Sequence, residues 1–361
     1  MSGSGKQEVA RSIPEEMDAA VYHKRRDLRV ERTATPEVGP RDVLIAVEFC
    51  GICGTDLHMV MDGWGRPGSI GGHEYSGRIV SVGADVVRWK IGDAVVGGPE
   101  AGCGECSYCL GGRSMLCTGR ATPGVSEFQG AFADFIRVEE SELLPIPEGM
   151  SLRDAALAEP LAVALHGITR SGIAPGQRAL ITGVGPIGML TLAALRARGI
   201  QDITVSEPSS VRRELAVKLG ATNALAPEDL ELPPMPFTIA DDAFDASFEC
   251  SGKASAVEAC LSLLKKGGSL VIQGTGAERA RLDGHRILLN ELVITGAYCY
   301  DDGGMEAALE LLAEGDLDTS LLLHPEDVPL KDIAVAIESL AAGTIGGKAV
   351  VVPASSGSRR R

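Results

Sequence analysis

Residues 178–190, RALITGVGPIGML, narrow the folds open to this chain more than any other segment. A short apolar run ends in three glycines spaced G-x-G-x-x-G, and a longer apolar run follows at once, the pattern of a buried strand turning into a helix. Gly183 allows the tight turn, Gly185 lets the backbone approach a pyrophosphate, and Gly188 permits close helix–strand contact. The helix that opens at Pro186 and Ile187 offers N–H groups and a partial positive charge to that pyrophosphate. Glu207 closes the next strand, DITVSE, where a carboxylate accepts hydrogen bonds from an adenosine ribose and repels a 2′-phosphate. The pattern points to NAD in preference to NADP, with Arg212 and Arg213 on the following helix close enough to weaken the preference.

From about Ala174 short buried runs alternate with amphipathic ones: RALITG, PIGMLTLAALRARG, DITVSEP, SSVRRELAVKLGA, DASFECSG, SAVEACLSLLKKGG, SLVIQG. That alternation predicts parallel βαβ units, a doubly wound sheet closed by a last strand in LVITGAY. The first 150 or so residues read differently, as short apolar runs such as DVLIAVEFCGIC and SGRIVSVG broken by Gly, Pro and Asp, which predicts a β-rich barrel or sandwich with long loops. The chain is thus α/β with two units. The helical stretch GGMEAALELLAEGDLD and the run KAVVVP are expected to return from near Tyr300 to the first unit.

A formal net charge of −15 repels phosphate backbones and anionic lipid, so neither nucleic acid nor a membrane is an expected partner. No secretory h-region and no apolar run long enough to span a bilayer occur, which places the chain in the cytoplasm. In that reducing compartment the nine cysteines are read first as metal ligands or catalytic thiols.

Two metal patterns stand out. Cys103, Cys106, Cys109 and Cys117 supply four thiolates within one loop, CGECSYC followed by GGRSMLC, and a closed Cys₄ set leaves no position for a substrate. The second pattern is sparser: CGICGTDLH holds Cys53, GGHEYSG holds His73 and Glu74, and LAEPLAVALHG holds Glu159. Cys53 and His73 are donors Zn²⁺ prefers, and Glu74 or Glu159 can complete three ligands with one exchangeable position, the form of a catalytic site. Cys250, Cys260 and Cys299 sit in apolar contexts and read as buried free thiols.

Taken in order, CGICGTDLH, GGHEYSG, CGECSYC…C, LAEPLAV and GVGPIG make residues 20–353 resemble the medium-chain zinc-dependent alcohol dehydrogenases of the sorbitol, threonine and butanediol dehydrogenase type. The resemblance implies a GroES-like catalytic domain over 18–160 and 301–353, with a structural zinc lobe at 97–120, and a Rossmann coenzyme domain over 161–300. It implies two zinc ions per chain, NAD, with NADP less favoured, and a homodimer or homotetramer. Residue by residue, it makes Cys53, His73 and either Glu74 or Glu159 the catalytic zinc shell, with Asp56 hydrogen-bonding the His73 ring. Thr55 would accept the substrate hydroxyl proton and His58 would pass it to solvent. Lys348, in GGKAVVV, falls where the family often places a basic residue near the pyrophosphate. The reaction implied is hydride transfer from a secondary alcohol or polyol to NAD, reversibly. The alternatives are an NADP-dependent enzyme for another alcohol or an amino alcohol such as threonine, and a zinc- and NAD-sensing protein without turnover. Substrate selection is expected near Trp64 and Tyr298 to Tyr300.

Overall fold

The computed structural model describes residues 13–99, 102–120 and 129–353. Two strands, β1 (Glu16–Lys24) and β2 (Asp27–Ala34), form an antiparallel ribbon. The first large sheet is built on β3 (Asp42–Gly51), whose side chains DVLIAVEFCG are buried almost throughout. It pairs antiparallel with β4 (Tyr75–Val82) and β6 (Phe135–Glu139), and β5 (Ala94–Gly97) and β7 (Leu143–Pro145) extend the sheet beyond β4. A strand covered on both faces has no need of polar alternation, which is why this run reads as continuously apolar.

The second sheet is entirely parallel: β8 (Arg178–Thr182), β9 (Asp202–Ser206), β10 (Asn223–Leu225), β11 (Phe244–Glu249), β12 (Leu264–Ile272) and β13 (Val293–Gly296), in the spatial order β10-β9-β8-β11-β12-β13. The order reverses between β8 and β11, so the crevice where a dinucleotide sits in such sheets opens at the C-terminal ends of these two strands. The sequence pattern predicts a helix through SAVEACLSLLKKGG, but the helix is Ala254–Ser262 and β12 already begins at Leu264. Leu263 and Leu264 are buried and Gly267 adopts φ 74°, so the chain turns into the strand through an irregularity in the β11–β12 pairing.

β14 (Val328–Pro329) and β15 (Val350–Val352) belong to the first sheet, β15 lying antiparallel to the end of β3 with Val350 opposite Gly51 and Val351 opposite Cys50. Between the sheets runs the helix Ala158–Ser171, buried along most of its length, which packs on the helices Pro186–Ala197 and Gly304–Glu314. Its first turn carries Glu159. No helix among the described residues is long and apolar enough to cross a membrane.

Gly183 adopts φ 85°, and a Cβ on Gly188 would collide with the Gly183 carbonyl oxygen. Gly188→Ala is therefore expected to lower stability by about 1–3 kcal/mol, the usual cost of overpacking, read as a fall in the urea unfolding midpoint.

Candidate active site and metal centres

The sparse site is assembled by the paired ends of β3 and β4. Cys50 lies opposite Tyr75, so the residues just beyond β3 and just before β4 meet. Cys53 caps the one-turn helix Gly54–Leu57, and His73 and Glu74 lead into β4. The Cys53 sulfur, a His73 ring nitrogen and a Glu74 carboxylate oxygen lie within 4.8 Å of one another. One thiolate, one imidazole and one carboxylate at that separation fit a single Zn²⁺ with a fourth position left over.

The surroundings favour a cation there. Burial opposes charge on His73, yet Cys53, Asp56 and Glu159 outweigh it and hold the imidazole well above its usual pKa. Glu159 is buried, and its carboxyl is pushed up to about 7 by burial, which the nearby His73 partly offsets and Glu74 reinforces. Asp56 does not use its oxygens on the His73 ring: they accept from the N–H groups of Cys53 at 2.8 Å and Gly72 at 3.2 Å. The carboxylate thus fixes the backbone on both sides of the site.

Lys348 is not where the resemblance places it. The pairing of β15 with β3 carries it inside the first sheet, 1% exposed, where its ammonium forms an ion pair with the fully buried Glu74 and donates to the Ile52 carbonyl at 3.0 Å. An ammonium committed to these two groups cannot reach a pyrophosphate. Gly51 makes the pairing possible, since a Cβ there would strike the Glu74 carboxylate and the Lys348 chain.

Thr55 is exposed at the start of the one-turn helix. His58 follows that helix, stacked on Trp64 with ring centroids 4.5 Å apart and 16° between the planes. Its Nδ1 faces an Asp62 carboxylate oxygen at 2.7 Å and its Nε2 faces the Thr275 carbonyl at 2.8 Å. Thr275 follows β12, so this one ring joins the two halves of the molecule across the cleft. Asp62 was readable as the carboxylate four residues on from His58 in a helical segment; nothing in the sequence marks Thr275.

At the crevice of the parallel sheet, Gly185 caps the helix Pro186–Ala197, and a Cβ placed on it would point into open space, leaving its backbone accessible to a phosphate. Glu207 is buried, one oxygen accepting from the Val184 N–H at 2.7 Å and the other from Ser209 at 3.0 Å. It braces the glycine turn and keeps a lone pair on each oxygen for a ribose. Arg212 turns away toward the carbonyls of Leu340 and Ile345, and Arg213 binds the carbonyls of Glu207 and Pro208. Across the crevice Glu249, unmarked in the sequence, accepts from the N–H groups of Ser251 at 2.7 Å and Gly252 at 2.9 Å and so shapes the loop after β11.

Cys103, Cys106, Cys109 and Cys117 converge within 4.8 Å. N–H groups of Cys103 and Gly119 bond to the Cys117 sulfur at 3.3 and 3.2 Å and draw its thiol down to about 6, as a thiolate ligand requires. Cys299, expected as a buried free thiol, is free and packs partly buried against the core, as does Cys250.

A parallel sheet with a phosphate turn at its switch point, an open three-donor metal site and a closed Cys₄ site define a zinc-dependent, nicotinamide-dinucleotide-dependent oxidoreductase. Comparison with known proteins agrees. Residues 39–148 match the family described as alcohol dehydrogenase GroES-like domain, and residues 186–314 match zinc-binding dehydrogenase. Sorbitol dehydrogenase of Bacillus subtilis (strain 168) is 34% identical over 87% of this chain and 91% of its own length. Among solved structures, 2R,3R-butanediol dehydrogenase from Bacillus subtilis superposes with a TM-score of 0.83 at 30% identity, covering 93% of this chain and 99% of that one. A zinc-binding dehydrogenase from Sinorhizobium meliloti 1021 bound to NADP gives 0.83 at 30% identity, covering 94% of this chain and all of that one. The chain belongs to the medium-chain zinc-dependent alcohol dehydrogenase family.

Replacing Lys348 by Met would leave the Glu74 charge buried without its partner. The expected cost is roughly 3–5 kcal/mol in urea unfolding, most of it recovered on adding Glu74→Gln.

Proposed function

We propose that this dehydrogenase oxidises a secondary alcohol or polyol with NAD, using Cys53, His73 and Glu74 as the ligands of the catalytic zinc. The convergence of these three donors within 4.8 Å, beside a cleft that the Thr275 loop closes from the coenzyme side, carries the reading. When bound, zinc supplies Lewis acidity to the substrate hydroxyl and the nicotinamide supplies a hydride acceptor. Three protein donors leave one position for the alcohol, and Glu159 flanks it. Lys348 shares the Glu74 carboxylate and balances its charge. Thr55 Oγ1 takes the proton of the substrate hydroxyl, and His58, once its Nε2 has left the Thr275 carbonyl, receives it and passes it toward Asp62 and solvent. The Gly183–Gly188 turn binds the pyrophosphate and Glu207 the ribose, with Glu207 setting the preference for NAD although one solved relative holds NADP. Cys103, Cys106, Cys109 and Cys117 hold the structural zinc.

The same reading makes the chain a cytoplasmic homodimer or homotetramer. Its support is that none of the nine cysteines is in a disulfide, and that the outer edge of β13, unpaired among the described residues, carries exposed Val293 and lies next to exposed Leu288 and Leu289.

A screen of vicinal diols, polyols, simple secondary alcohols and threonine with NAD and NADP tests the function: NAD reduction with at least one neutral secondary alcohol or polyol supports it, and inactivity with all of them contradicts it. Metal analysis is expected to find two zinc ions per chain, with Cys53→Ser losing one of them and all turnover while the fold persists, and Cys106→Ser losing the other. Glu207→Ala is expected to raise the KM for NAD roughly ten- to a hundredfold, the worth of hydrogen bonds to a charged group, and that for NADP much less. Equal effects on both would count against the ribose contact.

A further inference from the structure

The cysteine lobe is clasped to the segment that follows β13. Arg113 Nε donates to Asp301 at 3.1 Å, the Asp302 N–H donates to the Gly112 carbonyl at 2.9 Å, and Ser114 Oγ donates to Asp302 at 2.5 Å. Three successive residues between Cys109 and Cys117 thus grip the two acidic residues that directly follow Tyr300. Arg120, just past Cys117, donates to the Met115 carbonyl at 3.0 Å.

The clasped segment lies beside Glu159: a Cβ added to Gly98 would touch both the Tyr300 hydroxyl and the Glu159 side chain. Cys299 has φ 48°, a left-handed conformation that a non-glycine residue keeps only where its surroundings impose it. Burial, and after it the Glu159 carboxylate, push its thiol up to about 12. Tyr300 is buried alongside, its hydroxyl 3.1 Å from the Met305 sulfur, in space that the missing side chain of Gly98 opens next to Glu159. The Arg113–Asp301 pair is about half exposed and so adds little to stability. Its effect is on position.

We propose that Gly112, Arg113 and Ser114 of the cysteine lobe, through Asp301 and Asp302, position Cys299 and Tyr300 over the substrate position and so take part in selecting the alcohol. This rests on the dehydrogenase reading of the neighbouring site.

The test uses the zinc-loaded protein and the variants Arg113→Ala, Ser114→Ala and Arg113→Lys. The first two are expected to keep two zinc ions per chain and the KM for NAD. Their KM for the alcohol should rise roughly tenfold with kcat changed less, and the ranking of diols against simple secondary alcohols should alter, because small misplacements in a reaction cleft are costly. Arg113→Lys should recover part of the loss. Cys299 alkylation by iodoacetamide, followed by peptide mass spectrometry, should speed up in Arg113→Ala and gives a readout independent of turnover. Unchanged KM values and ranking in zinc-replete variants would overturn the proposal, even if Cys299 labels faster, since the segment would then move without consequence for the substrate. Ser114→Ala removes a single hydroxyl and keeps the test available if Arg113→Ala loses its lobe zinc. A wild-type chain that oxidises no alcohol would overturn the dehydrogenase reading and the proposal with it, while the labelling rates would still report whether the clasp exists.

Discussion

Cys53, Asp56, Glu74 and Glu159 gather their acidic groups around the end of β3, and Asp56, Glu74 and Glu159 are buried outright. Carboxylates in so little space and so little water keep their charge only beside positive charge, because an uncompensated buried charge costs several kcal/mol. Lys348 supplies one such charge from within the chain, and it can do so only because β15 returns to pair with β3. The His73 imidazole, drawn toward its protonated form, answers the same demand. A divalent cation held by Cys53, His73 and Glu74 meets it more fully, which ties metal chemistry to the fold itself.

The same region explains the two-sheet architecture. The first sheet carries the donors, the parallel sheet carries the phosphate turn, and the helix Ala158–Ser171 brings Glu159 to the boundary between them. His58 then spans the boundary to the Thr275 carbonyl. Reactive groups are thereby aligned across a cleft from which water can be displaced, and alignment of this kind accounts for much of what an enzyme contributes to hydride transfer.

Much of this was legible in the sequence because it is written in short contiguous motifs. The phosphate turn needs three glycines within six residues, the Cys₄ lobe lies within one loop, and Cys53 and His73 stand in distinctive local contexts. What escaped was set by pairing between distant segments. Lys348 looks like a phosphate-side cation until the β15–β3 register turns it toward Glu74. Cys299 reads as the free thiol it is, while the grip of Arg113 and Ser114 on the chain that follows it is not written in its neighbours. The spacing marks Glu207 as a ribose ligand, while its grip on the Val184 and Ser209 N–H groups follows from a turn geometry that spacing alone does not disclose.

Whether the sparse site or the cysteine-dense one holds the exchangeable metal position decides where the chemistry takes place. Anomalous diffraction at the zinc absorption edge, from crystals grown with NAD and an oxidisable diol, addresses it directly. The account predicts one ion bound by Cys53, His73 and Glu74 with a diol oxygen in the fourth position, and a second ion enclosed by four cysteine sulfurs. A first site lacking metal, or one closed by four protein ligands with the diol elsewhere, would contradict it.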